Sequence, residues 1–253
     1  MIFIESLMVA LSTYSIIPMP QFEWNEKNMK YAICFLPVVG IVCGLLMWAL
    51  VSLGAVLNMS SFFAAIVLTC IPLLITGGIH MDGFMDTVDA IASHKSKEKM
   101  LEILSDPHIG AFAAIYCGIY LLLNAAFIYE IYSMGHILVL CPVYALSRCM
   151  SSLCAVNMPN ARKTGMLSSY TKNAKSKNVS LVMIFGAGFF VAAMLFISPL
   201  VGAISVMAGL LWTAVYIRLA KKLFGGVTGD TAGFFLQMFE LCCIIGVWIG
   251  AMI

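Results

Sequence analysis

The chain has 253 residues, of which 62% are hydrophobic and only 10% are charged, and its formal net charge is +2. Because a soluble globular domain carries about 45–50% apolar and about 25% charged residues, this composition excludes an ordinary soluble enzyme, a disordered chain and a secreted disulfide scaffold. The small net charge also provides no basic field for nucleic acid. We therefore predict an all-α, polytopic integral membrane protein, a helical bundle in a lipid bilayer that forms a single domain over residues 1–253.

The first apolar stretch is too short to cross a bilayer. Residues 2–17 fall below the roughly 20 residues that a transmembrane helix needs, and Pro18 and Pro20 follow them. We predict an interfacial or re-entrant helix here. Later stretches are long enough to cross and predict about seven spans, near residues 31–57, 61–79, 109–131, 136–156, 178–198, 200–220 and 232–253.

The basic residues indicate the orientation of these spans. With seven alternating crossings, every Lys and Arg except Arg148 falls in a loop or at a span end on one side, and the short loops on the other side contain none. The positive-inside rule then places the basic loops in the cytoplasm and the C-terminus outside. We expect a multi-pass protein of the cytoplasmic (plasma) membrane, with its active site on the cytoplasmic face.

The densest polar cluster, TGGIHMDGFMDTVDAIASHK, follows the second predicted span at residues 76–95. On a helix, Asp82, Asp86 and Asp89 have i, i+4, i+7 spacing and fall within an arc of roughly 60°. Three carboxylates on one face repel each other unless a cation holds them, and oxygen-only ligands suit Mg²⁺ or Mn²⁺ better than zinc. The cluster predicts a metal site, with a solvated acidic face as the alternative.

Three further residues of this cluster are candidates. Gly78 and Gly83 leave room for a substrate to approach the backbone. His80 is a candidate general base or phosphate contact, and an interfacial histidine satisfied by backbone is an alternative of equal weight.

The second cluster, FGGVTGDTAGFFLQMFE, stands at residues 224–240, at the mouth of the last span. A glycine-rich turn that opens a helix offers free N–H groups to phosphate oxygens, which makes Gly226, Thr228 and Gly229 candidate substrate contacts. Asp230 is a further candidate, although it also fits a plain N-cap. Glu240 would lie about 15 Å along the span, where an ionisable group is costly and is therefore a functional candidate.

Two arginines are candidates for phosphate neutralisation. Arg148 falls inside the fourth predicted span, where arginine usually pairs with a carboxylate or phosphate, unless its side chain reaches the interface. Arg162 lies in the loop NARKTGMLSSY, residues 160–170, which the positive-inside rule alone would also explain.

Several strings, in order along nearly the whole chain, resemble the cobalamin synthase family, adenosylcobinamide-GDP ribazoletransferase. The most specific is GGIHMDGFMDTVDA, although Ala90 and Ile91 stand where many members of the family have a glycine. The others are LSTYSIIPMP, FLPVVGIVCG, KMLEILSDPHIGAF, NARKTGM and GGVTGDTAG.

The resemblance implies an enzyme that performs a late step of cobalamin (vitamin B12) biosynthesis. Members of the family join adenosylcobinamide-GDP and α-ribazole, or α-ribazole 5′-phosphate, to give adenosylcobalamin or its 5′-phosphate and GMP, and they require Mg²⁺. On this hypothesis Asp82, Asp86 and Asp89 hold Mg²⁺ on the diphosphate, and one of them or His80 takes the proton from the attacking hydroxyl. The opposite wall and the phosphate contacts would come from Gly226, Thr228, Asp230, Arg162 and Arg148. The resemblance does not decide whether the protein forms a homo-oligomer.

Two other classes compete with this interpretation. A CDP-alcohol phosphotransferase also uses clustered aspartates, but its D-x-x-D-G-x-x-A-R pattern is absent here. A transporter would line an ion path with Glu240, Arg148 and Glu130. The acidic helix, the basic loop and the glycine turn are instead predicted at one membrane face, which favours a transferase.

Overall fold

A computed structural model describes residues 2–20, 24–29, 31–162, 165–173 and 176–253. Within these ranges the chain is helical and contains no β-strand, which confirms the predicted all-α class. The α-helices there are α1 Ile2–Tyr14, α2 Glu26–Met29, α3 Leu36–Val56, α4 Ser61–Thr76, α5 Ile79–Ala92, α6 Lys97–Ile103, α7 Ala111–Ser133, α8 Val143–Asn157, α9 Met166–Asn173, α10 Ser176–Ile197, α11 Pro199–Leu219 and α12 Gly229–Ala251.

Six helical segments of the described chain are long and apolar enough to cross a membrane. They are built on α3, α7, α8, α10, α11 and α12. The pair α4 and α5 also passes this test, but its two helices meet at an angle of 93°. The count is therefore six, or seven when the bent pair is taken as one crossing, in agreement with the prediction of about seven. The helix α5 is not one of the six single-helix spans, and it packs against α7 and α12.

Two consecutive glycines produce the bend. Gly77 and Gly78 both have left-handed backbone conformations, with φ of +61° and +80°, which favour glycine because it has no Cβ. The break ends the helical hydrogen-bond ladder, and the carbonyl of Ile75 is instead capped by the N–H of Ile16 at 2.9 Å. The predicted span 61–79 therefore ends as a helix at Thr76, and the acidic residues belong to a separate helix.

The short N-terminal helix predicted over residues 2–17 is present as α1, which ends at Tyr14, ahead of the prolines. Its Val9 packs with Ala32 and Tyr170 in a small apolar cluster. The hydroxyls of Thr13 and Tyr170 are 2.9 Å apart and join α1 to α9. These contacts hold α1 over the mouth of the bundle; its interfacial position in the bilayer stays a prediction.

The last helix, α12, occupies the centre of the bundle and packs against α5, α7, α8 and α11. Its side chains fill the core, where Phe235, Phe239 and Val247 are almost completely buried. Because α12 begins beside the acidic helix, the core and the predicted polar clusters are built on the same element.

The loops that carry basic residues meet at one end of the bundle. The N–H of Val227 donates to the carbonyl of Pro159 at 2.9 Å, and the N–H of Ala161 donates to the carbonyl of Val227 at 3.0 Å. These bonds join the loop after α8 to the loop before α12. In addition, the Lys97 side chain of α6 lies against Gly225. This clustering fits the prediction that the basic loops share one side of the membrane.

Candidate active site

Glycines allow the acidic helix α5 to cross the start of α12 at very short distance. A Cβ on Gly83 would lie 2.7 Å from the carbonyl oxygen of Asp230, and a Cβ on Gly233 would lie 2.9 Å from that of His80. Any side chain at either position would force the two helices apart, because packed backbones leave no such space. The close crossing brings Asp82 and Asp230 into the walls of one cavity.

The carboxylates at this crossing repel one another. Partial burial, followed by the negative charges of Asp82, Asp230 and Asp89, raises the pKa of Asp86 to about 7, and the positive charge of Arg162 acts in the opposite direction. A bound cation would favour the charged form of these carboxylates and relieve the repulsion. The electrostatics therefore fit a site that is completed by a metal ion.

Asp89 has a structural contact of its own. Its two carboxylate oxygens accept hydrogen bonds from the backbone N–H groups of Gly110, at 2.6 Å, and Ala113, at 2.8 Å. These N–H groups belong to the start of α7, whose first turn has no partners within the helix. Asp89 therefore caps α7, and both of its oxygens are engaged away from Asp82.

The residues that the structure describes contain no group of three or more His, Cys, Asp or Glu side chains that converges on a metal position. Mg²⁺, however, is commonly held by one or two carboxylates together with waters and substrate phosphates. Asp82 and Asp86 lie one helical turn apart and provide such a partial, oxygen-only donor set. The chemistry of these donors fits Mg²⁺ in the presence of a phosphorylated substrate, and Mg²⁺ itself stays a prediction.

Arg162 reaches the crossing from the loop after α8. Its guanidinium Nη1 lies 3.7 Å from a carboxylate oxygen of Asp230, and its Nη2 donates to the carbonyl of Leu101 in α6. Both side chains of the ion pair are partly exposed, so the pair contributes little to stability. Arg162 therefore lies where its guanidinium can contact a phosphate that enters beside Asp230.

The N-cap of α12 is Thr228, and the interpretation of Asp230 as a plain N-cap is wrong. The Thr228 hydroxyl accepts from the Thr231 N–H at 3.1 Å, and the Thr231 hydroxyl accepts from the Thr228 N–H at 2.8 Å. This reciprocal capping box satisfies two end groups of the helix. Asp230 is left in the first helical turn with its carboxylate facing Arg162.

Two cavities adjoin Asp230. The larger, of about 270 Å³, lies between α1, α3, α5, α8, α9 and α12, and its wall combines apolar side chains with the polar side chains of His80, Asp82, Ser151 and Ser152. The smaller, of about 150 Å³, is lined by polar groups that include Asn160, Arg162 and Thr228. Gly229 and Asp230 line both cavities. The site therefore has two compartments that share Asp230, and the guanidinium of Arg162 lines the smaller one.

Comparison with known proteins identifies the family. The family model described as cobalamin-5-phosphate synthase matches residues 6–248. The chain belongs to this family. It is similar to the adenosylcobinamide-GDP ribazoletransferase of Lachnoclostridium phytofermentans, with 39% identity over 96% of this chain and 93% of the relative. Proteins of the same name from Clostridium botulinum (strain Alaska E43 / Type E3) and Clostridium perfringens (strain SM101 / Type A) are 32% and 29% identical, over 94% and 96% of this chain and 94% and 97% of the relatives. No solved structure matches the chain.

In this member of the cobalamin-5-phosphate synthase family, Arg148 does not reach the candidate site. The prediction that Arg148 contacts a phosphate is therefore wrong. Its side chain is completely buried, and its Nη1 lies 2.7 Å from Oε1 of Glu240. Glu240 also accepts from the Ser147 hydroxyl at 2.8 Å. Arginine within a span pairs with a carboxylate when one is available, and here the partner is on α12. The Glu240 side chain is thus part of an interhelical ion pair.

His80 lines the larger cavity. Its ring is stacked on Tyr14 of α1, with ring centroids 6.0 Å apart. The Nε2 atom is buried and has no hydrogen-bond partner among the described residues. A backbone-satisfied histidine, the alternative left open by the sequence, is therefore not what the structure shows at this nitrogen.

The structure brings together only part of the predicted set. Among the predicted residues, the cavity walls contain His80, Asp82, Arg162, Thr228, Gly229 and Asp230. The remaining glycines shape the backbone: Gly78 forms the bend, Gly83 allows the helix crossing, and a Cβ on Gly226 would lie 2.1 Å from the carbonyl oxygen of Pro159. Asp86 and Asp89 follow Asp82 on α5 and line neither of these two cavities.

Sequence reasoning missed several residues that line the cavities. The larger cavity includes Tyr14 and the adjacent pair Ser151 and Ser152, and the smaller one includes Asn160. The serine pair was detectable, because two consecutive hydroxyls inside an apolar span are unusual. Tyr14 was not, since nothing in the spacing shows that α1 folds over the end of the bundle.

Proposed function

We propose that this chain joins adenosylcobinamide-GDP to α-ribazole, or to α-ribazole 5′-phosphate, and releases GMP. The observation that carries the proposal is the convergence of the acidic helix α5, the basic loop and the start of α12 on Asp230, between two cavities. The matched family and the names of its members agree with this reaction. The product is adenosylcobalamin or its 5′-phosphate.

Asp82 and Asp86 are the residues that would hold Mg²⁺, which supplies charge neutralisation on the diphosphate when it is bound. Asp82 is exposed at the cavity mouth, and Asp86 follows it by one turn on the same helix. Asp89 supports this arrangement by capping α7, because its carboxylate joins α5 to the start of α7. The two roles divide the three aspartates into metal ligands and a structural carboxylate.

The diphosphate binds in the smaller cavity. Arg162 provides a guanidinium with several N–H donors in a fixed plane, which suits phosphate oxygens. The first turn of α12 adds backbone N–H groups and the positive end of the helix dipole, and Thr228 lines the same wall. These groups neutralise the phosphate that departs with guanosine.

The transfer itself is a displacement at phosphorus. The oxygen of a ribose hydroxyl on the acceptor forms a bond to one phosphorus of the diphosphate, and the bond from that phosphorus to the bridging oxygen breaks. GMP leaves with the bridging oxygen, and the hydroxyl proton passes to a carboxylate. Asp230 lines both cavities, so we assign it as the proton acceptor; positioning and charge neutralisation supply most of the remaining catalysis.

The enzyme works in the plasma membrane with this site on the cytoplasmic face. The support for this part of the proposal is the clustering of the basic loops at the same end of the bundle as the site, combined with the positive-inside rule.

The test uses protein purified in detergent with adenosylcobinamide-GDP and α-ribazole, with and without Mg²⁺, and it measures GMP and the cobalamin product. We expect both products only in the presence of the metal. A parallel reaction with α-ribazole 5′-phosphate decides which acceptor gives the higher kcat/KM. If a folded preparation yields neither product with either acceptor, the proposed function is wrong.

Asp82→Asn is the matched active-site variant, and Glu102→Gln is its control on the exposed surface of α6. Loss of a metal-binding carboxylate is expected to lower kcat at least about hundredfold, as removal of a charge-stabilising group does in other enzymes. Glu102→Gln should retain activity within twofold. Full activity and unchanged Mg²⁺ dependence in Asp82→Asn would contradict the metal assignment.

A further inference from the structure

The helix α8 brings two consecutive serines to the larger cavity, and only one of their hydroxyls is engaged within the protein. The Ser152 hydroxyl donates to the carbonyl of Ile33 at 3.3 Å and so joins α8 to the segment before α3. A serine inside a helix commonly bonds a carbonyl three or four residues earlier, as Ser147 bonds that of Tyr144 at 2.8 Å. The Ser151 hydroxyl makes neither kind of bond and has no hydrogen-bond partner among the described residues.

The Ser151 hydroxyl is nearly enclosed by protein but stays open to the larger cavity. Ser151 is 5% exposed, and it forms part of the wall of that cavity. In the described chain, the polar side-chain atoms that are both inaccessible and without a partner belong to His80, Thr87 and Arg148. Because the unpartnered Ser151 oxygen is not among these atoms, it keeps accessible surface, and the cavity is the space that it faces. The hydroxyl is therefore placed to bond to a molecule inside the cavity.

The polar groups of this wall suit a ligand that carries several hydroxyl groups. Asp82 and Asp230 belong to the same wall, and an ionised carboxylate only accepts hydrogen bonds, whereas a serine hydroxyl both donates and accepts. A sugar can donate from one hydroxyl to a carboxylate and exchange a second hydrogen bond with Ser151. A purely apolar group would leave these polar side chains unpaired.

We propose that the larger cavity holds the ribose of the acceptor nucleoside, and that the Ser151 hydroxyl bonds to a ribose hydroxyl other than the attacking one. The inference rests on the proposed function, which supplies an acceptor whose reacting group is a ribose hydroxyl. The attacking hydroxyl then lies at Asp230, which also lines the compartment of the diphosphate. A second bond from the same ring to Ser151 fixes the orientation of the ribose, and orientation of the reacting group lowers the barrier to transfer.

The first test removes the hydroxyl. With Ser151→Ala we expect the KM for α-ribazole to rise about fivefold, the usual size of one neutral hydrogen bond, and the KM for adenosylcobinamide-GDP to stay within twofold. The melting midpoint should stay within about 2 °C of that of the unchanged protein, because no bond within the described chain is lost. Ser205→Ala is the matched control on α11. Its hydroxyl donates to the carbonyl of Cys243 at 3.0 Å, so this variant should lower the midpoint and change neither KM.

The second test uses α-ribazole analogues in which one ribose hydroxyl at a time is replaced by hydrogen. The analogue without the attacking hydroxyl should form no product. With the unchanged protein, one of the other analogues should have a KM about fivefold above that of α-ribazole. With Ser151→Ala, the KM values of this analogue and of α-ribazole should agree within twofold, because two groups in direct contact have non-additive effects. If every analogue loses the same factor with both proteins, Ser151 does not contact the ribose and the inference is wrong.

Equilibrium dialysis of α-ribazole against the detergent-purified protein separates the inference from the proposed function. Binding that Ser151→Ala weakens about fivefold supports the inference even without turnover. If product forms and Ser151→Ala raises only the KM for adenosylcobinamide-GDP, the cavity belongs to the donor, and the inference fails while the proposed function stands. If product forms and Ser151→Ala changes neither KM, the hydroxyl contacts only water, and the inference fails in the same way. If the chain forms no product and binds no α-ribazole, both proposals fail.

Discussion

Replacing Glu240 with glutamine is expected to remove a large part of the protein's stability, because it leaves Arg148 as an uncompensated charge inside the bundle. The two side chains are 0% and 3% exposed, and their charged atoms are 2.7 Å apart. The Nε and Nη2 atoms of Arg148 have no hydrogen-bond partner in the described chain. Loss of one member of a buried pair costs about 3–5 kcal/mol. At about 1.4 kcal/mol for each factor of ten, the folded-to-unfolded ratio falls by roughly two to four orders of magnitude.

The free cysteines provide the assay for this prediction. None of the nine is in a disulfide, and several of them, including Cys149 and Cys243, are buried. A thiol-reactive dye therefore reports unfolding when the detergent-solubilised protein is heated. For a chain of this size, about 1 kcal/mol corresponds to a shift of roughly 2–4 °C in the melting midpoint. We expect Glu240→Gln to lower the midpoint by about 6–20 °C, and Glu130→Gln, an exposed control on α7, to leave it unchanged.

A double variant tests the physical cause. Arg148→Met combined with Glu240→Leu removes both charges, and replacement of a whole buried ion pair by apolar residues is often neutral or stabilising. We expect the double variant to regain most of the decrease in melting midpoint that Glu240→Gln causes. The reasoning is refuted if the double variant melts as low as Glu240→Gln, or if Glu240→Gln melts within 2 °C of the unchanged protein while product formation is lost. The second result would mean that Arg148 and Glu240 take part in the reaction at the site.

Three further predictions follow from the site. Arg162→Ala should lower kcat/KM for adenosylcobinamide-GDP by ten- to hundredfold. Arg162→Lys should give a kcat/KM between those of Arg162→Ala and the unchanged protein, because lysine keeps the charge but lacks the planar donor set. Initial rates at low concentrations of adenosylcobinamide-GDP measure both effects. Asp89→Asn should lower the melting midpoint by a few degrees, as loss of a helix cap costs about 1 kcal/mol, while the Mg²⁺ concentration for half-maximal activity stays within twofold. Gly83→Val should abolish product formation, because a Cβ there meets the Asp230 carbonyl at 2.7 Å; Gly188→Val, at an exposed position with no neighbour within 4 Å of a Cβ, should retain it.

Each of these predictions has a contrary result that is easy to recognise. An Arg162→Ala protein with unchanged donor kinetics would remove the guanidinium from the diphosphate site. A large shift in the Mg²⁺ requirement of Asp89→Asn would restore Asp89 as a metal ligand and make its helix-capping role secondary. An active Gly83→Val protein would show that the close crossing of α5 and α12 is not needed for the chemistry.

The spans were predictable from the sequence because the bilayer imposes a simple length and composition rule. A run of about 20 apolar residues must bury its backbone polar groups in a helix, and the described helices follow the predicted ranges closely. The glycine-rich turn before α12 was also correctly placed, since glycine and threonine have specific roles at helix ends. Sequence rules for single segments thus sufficed to predict the parts of the structure that depend mainly on whether a segment is surrounded by lipid or by water.

Tertiary partners decided the rest and left no local signature. The spacing of Asp82, Asp86 and Asp89 placed them on one helix face, but only the fold shows that Asp89 meets the start of α7. Likewise, a buried arginine predicts a partner without naming it, and Glu240 lies 92 residues away from Arg148 along the chain. The bend at Gly77 and Gly78 could be foreseen as a turn, but its angle depends on what α5 packs against.

The meeting of two helix starts explains why the site holds carboxylates where a phosphate is expected. Gly83 and Gly233 let the first turns of α5 and α12 touch, and each first turn presents N–H groups that have no acceptor within the helix, together with a positive dipole end. Asp82 and Asp230 stand in those same turns and offset that positive field. A free anion therefore gains little here, whereas a diphosphate that arrives with a divalent cation offers negative charge to the N–H groups and Arg162 and positive charge to the aspartates. The geometry thus favours the metal complex of the diphosphate over either ion alone.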